Sequence, residues 1–156
     1  MVKESDKLIT DFTDPVFQAA FKQYFAELGI NVKDWDGLFH EMNAGDGDEK
    51  NAAYVRTGLD GGVTGFIQFV PMQFTSWFFE ETLGFIREFW VAEPFRDRGH
   101  GTGLLTLAEN HLLEHGICTA ILTTDTAQRF YERRGYSRAH GCRAKNKDEV
   151  FVKRLK

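Results

Sequence analysis

Apolar residues along the chain fall into two periods, and the switches between them mark the elements. Phe17, Phe21, Tyr24, Phe25 and Leu28 recur at i, i+4, i+7, i+8 and i+11, one stripe of an amphipathic helix. Asp14 offers a side-chain oxygen to its first free amides. Pro15 sits at the first helical position, where a missing N–H costs nothing, and Gly29 suits a left-handed C-terminal cap. A short strand over Lys7–Phe12 is predicted before it. A second, shorter helix is predicted from Asp34, because Trp35, Leu38, Phe39 and Met42 follow the i, i+3, i+4, i+7 spacing, and the polar stretch Asn43–Asn51 ends it.

Past that stretch the pattern becomes strand-like. Ala52–Leu59 and Val63–Val70, joined by Asp60-Gly61-Gly62, are predicted antiparallel neighbours. Pro71 is expected to end the second of them. After the aromatic segment Phe74–Phe79, the run Leu83–Val91 is apolar on both faces and reads as a central strand. A helix over Thr102–His115 carries Leu104, Leu105, Ala108 and Leu112 on one stripe and closes at Gly116. Cys118–Leu122 reads as a strand. Thr126–Arg134 reads as a helix opened by Asp125, with Gln128 completing a capping box and Gly135 as the C-cap. Tyr136–Cys142 and Glu149–Leu155 form a final predicted hairpin. The order β-α-α-β-β-β-α-β-α-β-β predicts an α/β (α+β) fold with a mixed, mostly antiparallel central sheet flanked by helices and one parallel crossover.

Composition narrows the class without changing this picture. The 156 residues, 42% of them hydrophobic, suffice for one sizeable core in a single domain. A net charge of -4 argues against a broad nucleic-acid surface and leaves room for one local basic turn. Met1–Asp11 carry no signal-peptide core, and Gly62–Val91 is interrupted by Pro71, Gln73, Glu80, Glu81, Arg87 and Glu88, well short of the roughly 18 apolar residues of a membrane helix. A cytoplasmic protein is the expectation. Cys118 and Cys142 stand alone, and His40, His111, His115 and His140 lack ligand spacing, so no metal is expected. The acidic residues from Glu41 to Glu49 read as a solvated loop.

Candidate chemistry gathers where the central strand meets the third helix. Gly99, Gly101 and Gly103 lie there, preceded by Arg96 and Arg98 and followed by a helix N-terminus. Glycines let the backbone approach an anion, successive amides form a concave nest, and the helix N-terminus adds roughly half a positive charge. A pyrophosphate suits such a turn. A Walker loop would need a lysine that is absent, and the dinucleotide fingerprint would need glycine where Leu104 stands.

The segment Val91-Ala92-Glu93-Pro94-Phe95-Arg96-Asp97-Arg98-Gly99-His100-Gly101-Thr102-Gly103-Leu104-Leu105 resembles the coenzyme motif of the GNAT acetyltransferase superfamily, with Arg96, Gly99 and Gly101 at its fixed positions. Ala127-Gln128-Arg129-Phe130-Tyr131-Glu132-Arg133-Arg134-Gly135-Tyr136 is similar to that family's second signature. The resemblance implies a three-layer GNAT-like fold and an acetyl-CoA-dependent N-acetyltransferase in which a primary amine attacks the thioester directly within a ternary complex. The amides of Arg98, Gly99, His100, Gly101, Thr102 and Gly103 would hold the pyrophosphate. The backbone of Phe89, Trp90 and Val91 would pair with the pantetheine arm, and Tyr131 would protonate the departing thiolate. Thr124 stands where many members carry an asparagine that contacts the coenzyme. A hydroxyl offers one donor where an amide offers two.

Attack by an amine requires a base. Glu88 is the candidate, because strand alternation groups it with Ile86 and Trp90, and apolar neighbours would raise its pKa. The competing reading pairs Glu88 with a cation such as Arg87, for the fold alone. Glu80 and Glu81 are further candidates for the base, and Phe74, Trp77, Phe78 and Phe79 for a wall of the acceptor pocket. The acceptor is a small-molecule or protein amine, and a homodimer is possible by analogy with the family. A non-catalytic acyl-CoA-binding module is the alternative function, against which Tyr131 weighs, since mere binding needs no proton donor.

Overall fold

Two aspartate N-caps, Asp14 as predicted and Asp34 at the predicted start of the second helix, fix where the first helices begin. A computed structural model describes residues 4–45 and 49–156. In it, Asp14 Oδ1 accepts from the amides of Val16 at 2.9 Å and Phe17 at 3.0 Å, opening helix α1 (Pro15–Leu28), which Gly29 closes at φ 73°. Asp34 Oδ1 accepts from the Gly37 amide at 2.9 Å and opens α2 (Trp35–Ala44). Their apolar stripes, Phe17 and Phe21 with Phe39 and Met42, bury against Ala53, Val55, Phe66 and Trp90 on one face of the sheet.

Seven strands make that sheet among the described residues: β1 (Ser5–Ile9), β2 (Ala52–Thr57), β3 (Val63–Thr75), β4 (Glu80–Val91), β5 (Thr119–Thr124), β6 (Ser137–Arg138) and β7 (Glu149–Arg154). Their spatial order is β1-β2-β3-β4-β5-β7-β6, and every neighbouring pair is antiparallel except β4–β5. The crossover between those two runs through α3 (His100–Glu114). The stripe Leu104, Leu105, Ala108 and Leu112 of α3 packs on the opposite face, against Ile67, Phe69, Ile86 and Leu122, and α4 (Gln128–Glu132) joins it through Tyr131. Three layers result, the mixed and mostly antiparallel architecture that the pattern predicts.

The departures have local causes. The first strand ends at Ile9, and Phe12 instead turns fully into the core beside α1, its amide held by Asn43 Oδ1 at 2.7 Å. Pro71 does not end β3. Pairing with β2 stops at Phe69, so the strand continues to Thr75 with β4 as its strand partner and the Gln73 amide held by Glu49 Oε1 at 2.7 Å, and an edge tolerates a residue without an N–H. The aromatic segment becomes the β3–β4 hairpin tip, closed by Ser76 N–H to Phe79 O at 2.8 Å, with Trp77, Phe78 and Phe79 97%, 90% and 79% exposed. Glu80 and Glu81 begin β4 at that tip, the end of the strand away from Val91. These aromatics and glutamates therefore stand far from the glycine turn. Helix α4 begins at Gln128 rather than Thr126 and lacks the Asp125 cap: Asp125 lies two residues ahead of the observed cap, Ala127, whose amide bonds Thr124 Oγ1 at 3.0 Å. The final hairpin pairs only Ser137 and Arg138 with β7. The proposed acidic loop includes residues 46–48, which lie outside the described residues, as do residues 1–3.

One irregularity bears on the site. Gln68 pairs with Glu88 and Phe69 with Ile86, so Arg87 is an extra residue, a β-bulge in β4. The bulge reverses the parity of the faces. Ile86 joins the core under α3, whereas Trp90 joins that under α1 and Glu88 meets Tyr24 of α1. The simple alternation that put Glu88 beside Ile86 is corrected on this point.

Helix α3 approaches β4 where glycine removes a side chain. A Cβ on Gly84 would lie 2.4 Å from Leu112 Cδ1 and 3.0 Å from its Cγ, and Leu112 is buried. Gly84→Ala is expected to destabilise the protein by about 1–3 kcal/mol, the usual cost of overpacking, read by denaturant unfolding. An unchanged midpoint would contradict this packing.

Candidate active site

Strands β4 and β5 pair at only two positions, Gly84 with Ala120 and Phe85 with Ile121, and then part. Beyond Phe85, β3 is the only strand neighbour of β4 among the described residues. The amide of Ala92 donates to Thr64 O at 2.8 Å, so alternation turns the backbone groups of Trp90 toward β3 and those of Phe89 and Val91 into the gap. A cleft of about 540 Å³ fills that gap, lined among others by Phe89, Val91, Arg96, Gly99, Gly101, Thr102, Phe130, Tyr131 and Arg134.

The glycine turn closes one end of the cleft. After a 3₁₀ turn at Glu93–Phe95, Asp97 and Gly99 adopt left-handed backbone, φ 62° and 88°. The first helical bond of α3 runs from Gly103 N–H to Gly99 O at 3.0 Å. The amides of His100, Gly101 and Thr102 precede it and have no acceptor within the helix. Where α1 and α2 begin under aspartate caps, α3 has no side-chain cap. Its free amides and the positive end of its dipole face the cleft, an arrangement that suits an anion. Gly101 is helical, and a Cβ there would meet the rings of Phe130 at 3.3 Å and Phe89 at 3.7 Å.

Side chains of the turn divide by direction. His100 Nδ1 lies 3.2 Å from an Arg56 guanidinium nitrogen and its ring packs edge-on to Phe95, so its side chain serves the frame. A Cβ on Gly103 would strike the same guanidinium at 2.8 Å. Arg96 donates from Nε to Val91 O at 2.9 Å and pairs with Glu27, while Arg98 is exposed. Arg134, which carried no role in the sequence reading, donates to Thr102 Oγ1 at 2.8 Å and to Phe130 O at 2.8 Å and stacks on the Phe130 ring at 3.8 Å. It sets a fixed positive charge at the cleft beside α3. Only its place in the second signature pointed to it.

Tyr131 lines the cleft and is 8% exposed, and burial pushes its hydroxyl up to about 12. Glu88 is brought to the α1 side of β4, where Tyr24 donates to its Oε2 at 2.7 Å. Burial raises the Glu88 carboxyl above the usual carboxylate range, and the Tyr24 hydrogen bond and the Arg87 charge pull downward without offsetting it. Tyr24, read from the sequence as one more stripe residue, is thus the partner of the candidate base, and burial followed by the Glu88 contact pushes its own hydroxyl up. Thr124 is buried at the end of β5, its hydroxyl oxygen accepting from the Ala127 amide at 3.0 Å while its O–H stays a donor. Among the described residues no three His, Cys, Asp or Glu side chains gather as metal ligands, and no helix is long and apolar enough to cross a membrane.

The raised Glu88 carboxyl has a definite sign in stability. The folded state holds this proton more tightly than the unfolded chain, so the stability tied to it is present at low pH and is lost as pH rises through the raised value. Glu88→Gln keeps an acceptor for Tyr24 and has no proton to lose. As pH rises from about 4 through the raised value, the variant should therefore gain on the wild type in thermal midpoint. A difference that stays constant with pH would show that Glu88 is not held protonated by its surroundings.

Comparisons with known proteins bear on the fold and the family. Residues 9–136 match the model of the acetyltransferase (GNAT) family. A sequence search of curated proteins gave no match. Among solved structures, the chain is similar to the GNAT family N-acetyltransferase YhbS of Escherichia coli in complex with CoA, with a TM-score of 0.71 and 20% identity over 100% of this chain and 83% of that one. It is also similar to a GNAT family acetyltransferase of Staphylococcus aureus Mu50, with a TM-score of 0.71 and 14% identity over 97% and 100% of the two chains. A third is N-acetylglutamate synthase of Neisseria gonorrhoeae complexed with coenzyme A and N-acetyl-glutamate, with a TM-score of 0.68 and 16% identity over 97% of this chain and 35% of that one. At such identities the structural likeness speaks for the fold, and the family rests on the match across most of the sequence: the chain belongs to the acetyltransferase (GNAT) family.

Proposed function

We propose that the protein is an N-acetyltransferase that takes its acetyl group from acetyl-CoA and transfers it to a primary amine by direct attack in a ternary complex. The observation that carries this reading is the uncapped N-terminus of α3, whose free amides face a cleft opened by the parting of β4 and β5. The amides from Arg98 to Thr102 would hold the pyrophosphate, the Gly103 amide being spent on Gly99 O, with Arg98 and Arg134 adding charge. The outward-facing groups of Phe89 and the N–H of Val91 would hold the pantetheine arm as an added strand. CoA-bound relatives support the ligand, and the relative solved with N-acetyl-glutamate supports an amine acceptor.

Acetyl-CoA supplies a thioester carbonyl open to attack by an amine. An alkyl amine is mostly protonated at neutral pH, so its proton must leave first. Glu88, with a raised pKa and its carboxylate steadied by Tyr24, would accept that proton. Tyr131, whose hydroxyl stays protonated up to about 12, would return one to the departing sulfur. None of these steps calls for a metal ion. The same reading takes the whole chain as one cytoplasmic domain acting on a small-molecule or protein amine, without nucleic acid or membrane, and leaves a homodimer open to test.

Two variants test the reading at separate points. Gly101→Val would place a branched side chain between the nest and Phe130, and we expect it to abolish acetyl-CoA binding in calorimetric titration while circular dichroism stays native. Unchanged affinity would remove the pyrophosphate assignment. Tyr131→Phe is expected to lower kcat roughly tenfold to a few hundredfold in a thiol-release assay over a panel of amines, with coenzyme affinity kept. A lowered thermal midpoint with kcat unchanged would make the tyrosine structural. Acetyl-CoA binding without thiol release from any amine would favour a binding module instead.

A further inference from the structure

Helix α1 reaches the coenzyme side of the cleft through one carboxylate. Glu27, in its last turn, accepts from the Trp90 indole, Nε1 to Oε2 at 2.7 Å, and its other oxygen accepts from the Arg96 guanidinium. Arg96 Nε donates in turn to Val91 O at 2.9 Å. The end of β4, the turn before α3 and the end of α1 thus meet at a single side chain. The Arg96 hydrogen bond, then that of Trp90, holds the Glu27 carboxyl below its ordinary range, so it stays ionised.

Two consequences follow for the ligand groups. Two of the three Arg96 guanidinium nitrogens are spent within the protein, on Glu27 and Val91, and the exposed Arg98 is the turn's other cation. The Val91 carbonyl, which points into the gap, is likewise spent. What the Glu27–Arg96–Val91 chain fixes is the offset between the β4 edge and the amides of α3. A ligand that engages both must match that offset, and its affinity falls when the offset is free to vary.

We propose that Glu27 is a positioning residue for the coenzyme: it locks the glycine turn to the end of β4 through Arg96 and Trp90, and Arg96 acts through this lock rather than as a phosphate ligand. The inference rests on acetyl-CoA being the ligand of the cleft.

A double-mutant cycle read by acetyl-CoA titration tests it, on full-length variants checked for a native thermal midpoint. Glu27→Ala and Arg96→Ala should each weaken acetyl-CoA roughly five- to thirtyfold, and the double variant should be no weaker than the worse single one. Glu27→Ala combined with Arg98→Ala should instead be additive. Glu27→Gln, which keeps one carbonyl acceptor, should fall between wild type and Glu27→Ala, and it serves if the alanine variant does not fold. In steady state the KM for acetyl-CoA should rise while kcat at saturation stays within about twofold, a split that general loss of stability would not produce. Additive losses for Glu27 and Arg96, or unchanged affinity in Glu27→Ala, would overturn the positioning role alone. A wild type that fails to bind acetyl-CoA would overturn the coenzyme reading and this inference with it.

Discussion

The candidate site depends on β4 and β5 parting after two paired residues. A parallel ladder carried to Val91 would consume the outward backbone groups of Phe89 and Val91 and close the space in front of α3. Because the ladder stops at Phe85, a row of backbone donors and acceptors lies open along one wall while the uncapped amides of α3 form the floor. Unpaired backbone groups of this kind are costly when buried without a partner. Here they face a cleft, where a ligand can satisfy them.

Helix α1 holds both ends of that wall. Tyr24 and Glu27, three residues apart, lie on one helical face; the first bonds Glu88 and the second bonds Trp90 and Arg96. The bulge at Arg87 makes this possible, since it turns Glu88 toward α1 on the same face as Trp90. Without it, Ile86, Glu88 and Trp90 would share one face, so that either Ile86 would leave the core under α3 or Glu88 and Trp90 would leave α1. The irregularity in β4 and the polar residues of α1 are therefore two halves of one arrangement.

Much of this was legible in the sequence where the cause is local. Asp14 caps its helix because an aspartate oxygen meets amides two or three residues on, and the glycine turn shows itself by three spaced glycines where a strand meets a helix. The mixed sheet with one parallel crossover followed from element order, whereas the place of β7 between β5 and β6 did not. What stayed hidden was set by partners remote in sequence. Pro71 is tolerated because β2 happens to end opposite Phe69, and Arg87 bulges because of the register with Gln68. Tyr24 counted as an apolar stripe residue, and Glu27 carried no role, until β4 lay beside them. Asp125 looked like a cap, yet α4 starts too late for it and Thr124 bonds the Ala127 amide instead.

The most direct test of the central claim is an amide chemical-shift titration of the isotopically labelled protein with coenzyme A. The account predicts the largest changes at the amides of Gly99, His100, Gly101 and Thr102, accompanied by those of Phe89 and Val91 on the open wall of β4. Saturable changes confined to other parts of the sheet, or none at the α3 N-terminus, would contradict it.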